Sequence, residues 1–234
     1  MIRRRPAGER GQRDFGWLHA RHSFSFGDYF DPAHMGFRSL RVLNEDTVQP
    51  GTGFGTHGHD NMEIISYIVS GVIAHEDSMG SRSELRPGDV QVMSAGTGIT
   101  HSEFNGSSDE PLHLLQIWIV PDRRGRTPRY DERHFSEDDR RGRLLQVVGP
   151  ESAGAGDRLT IGQDASIYAG LLDGGQSLTH VLAPGRHAWV QLVRGALSLG
   201  DVELHAGDGA AVSNEGSLAL RATEASEVLV LDLA

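Results

Sequence analysis

The chain has 234 residues, with 22 basic against 32 acidic side chains and a formal net charge of −10. It contains no cysteine, which excludes disulfides, thiolate nucleophiles, iron–sulfur clusters and cysteine-ligated zinc. Every basic residue is arginine, which excludes Schiff-base chemistry on lysine. The negative balance argues against direct nucleic-acid binding. No run approaches the roughly 18 apolar residues that span a bilayer. A soluble, cytoplasmic protein is expected.

The basic start Met1-Ile2-Arg3-Arg4-Arg5 leads into no apolar stretch, so it is not read as a secretory signal, and it is short for a nucleic-acid tail. His22-Ser23-Phe24-Ser25-Phe26 alternates with period two and predicts a strand. The aromatic run Phe24, Phe26, Tyr29, Phe30 and Phe37 is read as core packing, with an apolar entrance for a flat substrate as the functional alternative. Further strands are predicted over Ile64 to Val69, over Asp89 to Met93 after the turn Pro87-Gly88, and over Leu112 to Val120 up to Pro121. Residues 121–143 carry eight arginines, six acids and two prolines, and read as a solvated connector with a helical turn at Ser136-Glu137-Asp138-Asp139.

Strand patterning then resumes. Gly195 to Leu204 predicts two short strands around Gly200-Asp201, and Ala206-Gly207-Asp208 echoes Pro87-Gly88-Asp89. This weak repeat suggests two related β-domains, over residues 1–120 and 144–234. The 30 glycines, with no three-residue period, fit a turn-rich all-β protein.

The chemistry sits in two short segments. On extended backbone, residues i and i+2 share a face, so His57-Gly58-His59 presents two imidazoles to one point. His101-Ser102-Glu103 repeats the spacing after the turn Gly96-Thr97-Gly98. If the two strands face one interior, three nitrogens and one carboxylate enclose a single site. With open positions left over, that set suits iron, copper, nickel, cobalt, manganese or zinc. Either pair alone is commonplace; the two together are not.

These segments resemble the cupin superfamily. Gly51, His57, His59 and Glu63 follow its first motif, and Gly98, His101 and Asn105 its second. The surrounding segments narrow the likeness. His22-Ser23-Phe24-Ser25-Phe26-Gly27, Met62-Glu63-Ile64-Ile65-Ser66-Tyr67, Pro87-Gly88-Asp89-Val90-Gln91, Met93-Ser94-Ala95-Gly96 and Leu115-Gln116-Ile117-Trp118-Ile119 closely resemble the pirin family, over about residues 9–130. The resemblance implies an all-β bicupin of two double-stranded β-helix, jelly-roll-like barrels. It implies one metal, in the first domain, on His57, His59, His101 and Glu103, with Glu63 as the rival oxygen ligand or as a group orienting a histidine. Iron(II) is the first expectation. The second domain is expected to be degenerate and metal-free, because His187 is followed by Trp189 rather than a second histidine. His19, His34, His134, His180 and His205 read as solvated or packed, and His75 and His113 as structural, with a supporting role beside the metal ligands as the alternative.

Proteins of this kind are similar to quercetin 2,3-dioxygenases, which open a flavonol ring with O2. The resemblance therefore implies a small aromatic substrate, with Glu103 as the group that accepts the substrate proton. The alternative it allows is a metal- or redox-sensing regulatory protein that binds a protein partner. A cupin isomerase or hydrolase also stays open at this level.

Overall fold

Short strands broken by glycine turns make up most of the protein. The computed structural model describes residues 1–234. In the N-terminal half, a seven-stranded sheet runs in spatial order Arg129–His134, Asp89–Ser94, Glu63–Ser70, Leu112–Ile119, Leu40–Val48, Leu18–His22 and Gly11–Asp14. A four-stranded sheet accompanies it, ordered Gly53–His59, Ile99–Asn105, Ile73–Asp77 and Arg82–Leu85. The C-terminal half repeats the plan. Its seven strands are Ile2–Arg5, Gly209–Ser213, His187–Arg194, Ser226–Leu233, Ala165–Leu172, Leu145–Pro150 and Leu159–Ile161. Its four are Ser177–Val181, Ser217–Ala222, Ala196–Leu199 and Val202–His205. In neither half do the sheets close into a continuous ring. No helix is long and apolar enough to cross a membrane.

The repeat read from Pro87-Gly88-Asp89 and Ala206-Gly207-Asp208 is structural. Both glycines take positive φ, 95° and 84°, where a Cβ is disfavoured. Both aspartates close the turn on a backbone amide: Asp89 Oδ2 accepts from Arg86 N at 2.7 Å, and Asp208 Oδ2 from His205 N at 2.9 Å.

Strand alternation divides each seven-stranded sheet into two faces. Ile65, Tyr67, Val69, Leu115, Ile117 and Ile119 meet Ile167, Leu229, Leu231 and Leu233 in the largest apolar cluster, which joins the two halves. The opposite face of the C-terminal sheet fills its half with one continuous cluster, including Val190, Leu197, Leu218, Leu220 and Val230. In the N-terminal half the interior apolar residues fall into two separate clusters, around Leu18, Ile68 and Leu114 and around Ile64, Met93 and Ile99. Between them the inward positions are polar: Asn44, Asp46, Ser66, Gln91, His101 and Glu103 are all buried.

The helical turn forms as expected over Glu137–Arg140, with the Ser136 side chain accepting from Asp139 N. Two sequence expectations differ from the structure. The strand expected over His22 to Phe26 ends at His22; beyond it Phe26 and Tyr29 close a turn, Gly27 takes φ 57°, and Ser25 Oγ bonds to the Asp31 backbone. The alternation at Ser23–Phe26 comes from a loop in which Phe24 packs 4.9 Å from Trp189 across the junction of the two halves. Residues 121–143, read as a connector, include the strand Arg129–His134, which pairs with Asp89–Ser94. Its charged residues suit a sheet edge, where unpaired backbone must be kept from further pairing. Conversely, Ile2–Arg5 crosses over to pair with Gly209–Ser213.

A buried ionic cluster locks the halves together. Glu227 Oε1 accepts from the Tyr67 hydroxyl at 2.6 Å and from Arg140 Nη1 at 3.2 Å, and the Arg140 side chain is 5% exposed. Arg140→Ala strands the Glu227 carboxylate with only Tyr67 and the half-exposed Arg194 beside it. We expect it to lower the unfolding free energy by about 2–3 kcal/mol, read from the denaturant midpoint.

Candidate metal centre

The strand Gly53–His59 lies at the edge of the four-stranded sheet, and Ile99–Asn105 pairs with it antiparallel, setting His101 opposite His57. The i, i+2 geometry turns His59 inward beside His57. His101 Nε2 stands 3.1 Å from His57 Nε2 and 3.0 Å from His59 Nε2. His57 Nδ1 donates to the Gly55 carbonyl at 2.8 Å, so that nitrogen carries the proton and Nε2 offers a lone pair. Burial, with the His101 and His57 rings close by, pushes the His59 imidazole down to about 4. Burial, with His57 and His75 nearby, pushes His101 down to about 3. Both are therefore neutral near pH 7.

Three ring nitrogens thus aim at one spot, and a single hydrogen on His101 Nε2 satisfies at most one of the other two. A cation resolves the conflict. Two imidazole nitrogens each about 2.1 Å from one ion, at right angles, stand about 3.0 Å apart. The residues present therefore fit a divalent metal.

Glu103 lies further along. A bulge between His101 and Glu103 shifts its partner to Phe54, so it groups with His75 and His101, ligand atoms within 4.8 Å of one another, rather than with all three histidines. Its carboxylate is tightly held. Oε1 accepts from Gln91 Nε2 at 2.7 Å and Oε2 from Gln116 Nε2 at 2.9 Å. The amides are themselves oriented, because Gln116 Oε1 accepts from Trp118 Nε1 at 3.0 Å and Gln91 Oε1 from the Tyr130 hydroxyl at 3.1 Å. Glu63 is on the wrong face. It alternates with Ile65 and Tyr67 toward the C-terminal half, where its Oε2 accepts from Ser94 Oγ at 2.6 Å. Glu63 neither meets the histidines nor orients one.

His113 is tied to Glu45 at 3.1 Å, a structural role as expected. His75 is closer to the chemistry than the sequence suggested: its ring stacks on Tyr130 with centroids 4.6 Å apart and lies 5.3 Å from His101. Gln91, Gln116 and Tyr130 are the site residues that sequence reasoning missed. The two glutamines did carry a signal, as lone amides at inward positions of apolar strands. Tyr130 carried none, sitting in the segment read as a connector.

A cavity of about 260 Å³ opens between the two sheets beside the edge strand. Phe15, Trp17, Leu18, Phe26 and Phe54 give it apolar walls, and His22, Asn44 and Asp46 a polar side. Of the aromatic run 24–37 only Phe26 lines it; Phe24 and Phe37 pack on Trp189, and Phe30 is exposed. None of the three histidines lines it, and aromatic rings stand between: Phe54 is 6.4 Å from His57, and Phe26 meets Trp118, which is 4.9 Å from His59. Burial, with the like charges of Glu103 and Glu45, pushes the Asp46 carboxyl up to about 7.

In the C-terminal half the strand corresponding to Ile99–Asn105 is Ser217–Ala222, whose inward residues are Leu218, Leu220 and Ala222. The paired sheets, their repeat and one histidine cluster in the first half together define a bicupin with a candidate metal centre. Residues 4–119 match the pirin family model, and residues 146–233 match the quercetinase C-terminal cupin domain. The chain belongs to the pirin family. It is 44% identical over 233 residues to quercetin 2,3-dioxygenase of Escherichia coli strain K12, covering 100% of this chain and 99% of that protein. It is 38% identical over 234 residues to a pirin-like protein of Caulobacter vibrioides, covering both in full. The crystal structure of YhhW from Escherichia coli superposes with a TM-score of 0.95 at 42% identity, covering 100% of this chain and 98% of that one. The same bacterial pirin in complex with nickel(II) gives 0.93, covering 100% and 99%. Membership and the histidine cluster together indicate a divalent metal.

Two outcomes are expected. Purified protein should carry one divalent ion per chain by elemental analysis, and His101→Ala should carry almost none while retaining its circular dichroism spectrum. The second concerns pH. His101 has a folded value near 3 against about 6.5 unfolded, so the unfolded state binds its proton first and stability is lost as pH falls between those values. In chelated protein, the stability margin of wild type over His101→Gln should therefore shrink by about 2 kcal/mol from pH 7 to pH 5, measured by urea unfolding.

Proposed function

We propose that this chain is a metal-dependent dioxygenase that opens the heterocyclic ring of a flavonol such as quercetin with O2. The observation that carries the reading is the convergence of three imidazole nitrogens one aromatic ring away from an apolar cavity. His57, His59 and His101, with Glu103 as oxygen donor, are proposed as the metal ligands, and iron(II) as the working ion; copper, nickel, cobalt, manganese and zinc are the competitors for the same donor set. The name of the Escherichia coli relative supports the substrate class, and the nickel(II) complex of the bacterial pirin supports a bound divalent metal. When bound, the ion supplies Lewis acidity toward a substrate hydroxyl and a redox partner for O2.

The protein's own residues do the rest. Phe15, Trp17, Phe26 and Phe54 enclose the flat faces of the substrate and exclude water from the approach to the histidines. Glu103 is the proposed acceptor of the substrate hydroxyl proton, on a carboxylate oxygen. Gln91 and Gln116 hold that carboxylate in one orientation, so acceptance needs no rearrangement of the side chain. His59 and His101 are neutral rather than imidazolium, so neither is a strong acid toward the substrate oxygen.

The test is a quercetin assay on metal-analysed protein, in air and under argon. The reading predicts oxygen-dependent bleaching with release of carbon monoxide. Glu103→Gln is expected to keep part of its metal and lose at least about 100-fold in kcat. Full metal loading without any turnover would overturn the enzyme reading and favour a metal-dependent regulatory protein. Wild-type turnover in Glu103→Gln would remove the proton-accepting role.

A further inference from the structure

Asp46 does nothing that the free protein requires. It sits in Leu40–Val48, on the strand face that turns away from the other half. Its neighbours on that face are accounted for: Asn44 Oδ1 lies 2.9 Å from His22 Nδ1, and Val48 joins an apolar cluster. Asp46 is 4% exposed, yet no hydrogen bond or ion pair reaches its carboxyl, and Oδ1 is enclosed with no partner at all. The charges that act on it most strongly are Glu103 and Glu45, both repulsive. A carboxyl buried on those terms destabilises the fold and calls for a reason outside it. What remains open to it is the cavity, which it lines together with Trp17, Phe26 and Phe54.

We propose that Asp46 is the specificity residue of this cavity, accepting a hydrogen bond from a ring hydroxyl of a planar aromatic ligand other than the oxygen that approaches the histidines. The apolar walls take the ring faces, and the one unpartnered acceptor takes an O–H at the ring edge. A ligand lacking that hydroxyl leaves the carboxyl as it is in the free protein, and satisfying a buried, unpartnered polar group is worth roughly 10- to 100-fold in affinity. The inference rests on the flavonol reading and sharpens it: the substrate class is a polyhydroxylated flavonol rather than any flavonol.

The experiment is binding under argon, followed by quenching of tryptophan fluorescence, since Trp17 lines the cavity. Quercetin is compared with 3-hydroxyflavone, which lacks the hydroxyls on the other rings. Wild type is expected to prefer quercetin by roughly 10- to 100-fold. Asp46→Asn should cut the preference severalfold or more. Asp46→Leu should abolish it while leaving 3-hydroxyflavone affinity and metal content unchanged and raising the melting temperature of the ligand-free protein. Equal affinities in wild type, or a preference kept by both variants, overturns the role of Asp46 and leaves the flavonol reading standing. Failure of wild type to bind either compound overturns both.

Discussion

Two imidazole nitrogens held about 3 Å from a third, with at most one hydrogen between them to share, are the constraint on which the rest of the N-terminal half depends. Each element of the fold contributes to that convergence. The antiparallel pairing sets His101 opposite His57, the period-two alternation brings His59 in beside it, and the Gly55 carbonyl selects the tautomer of His57. Burial keeps His59 and His101 neutral, as a metal ligand must be. Without a cation at this position, at least one of the ring nitrogens facing His101 lacks a hydrogen to accept.

The two halves show what this arrangement costs. They share strand order, turn chemistry and positive-φ glycines, and differ in what fills them. In the C-terminal half, leucines and valines form one unbroken cluster. In the N-terminal half, buried histidine, glutamate and glutamine split the apolar filling in two. The lost apolar contact is offset elsewhere, by the large cluster between the seven-stranded sheets and by Tyr67, Arg140 and Glu227 at its margin. The second copy acts as a stable backing for the first, the crossing strand Ile2–Arg5 ties the two together, and Arg129–His134 closes the edge of the N-terminal sheet.

Precision at the site comes from a chain of oriented amides. Trp118 and Tyr130 each occupy the carbonyl end of a glutamine, which leaves both amide nitrogens aimed at Glu103. Such a network is stable only when each member has its partner, so it fixes one geometry rather than several. Against that background the bare carboxyl of Asp46 stands out, because it borders the same interior and is given nothing to bond to. The contrast separates groups that position the centre from groups that face the cavity.

Much of this was legible in the sequence because it is local. Glycine turns and period-two runs set the strands, the absence of cysteine and lysine limited the chemistry, and two i, i+2 pairs marked His57, His59, His101 and Glu103 as candidates. The Pro-Gly-Asp echo revealed the repeat, since a turn's requirements are met within a few residues. Tertiary structure decided whatever depended on partners far along the chain. Strand parity placed Glu63 on the domain-facing side, and a bulge grouped Glu103 with His75 and His101 rather than with all three histidines. Tyr130 reached Gln91 only because a charged segment with no apolar pattern of its own paired as an edge strand. The cavity, too, is formed by residues from three separated stretches, and no spacing within the chain encodes a void between two sheets.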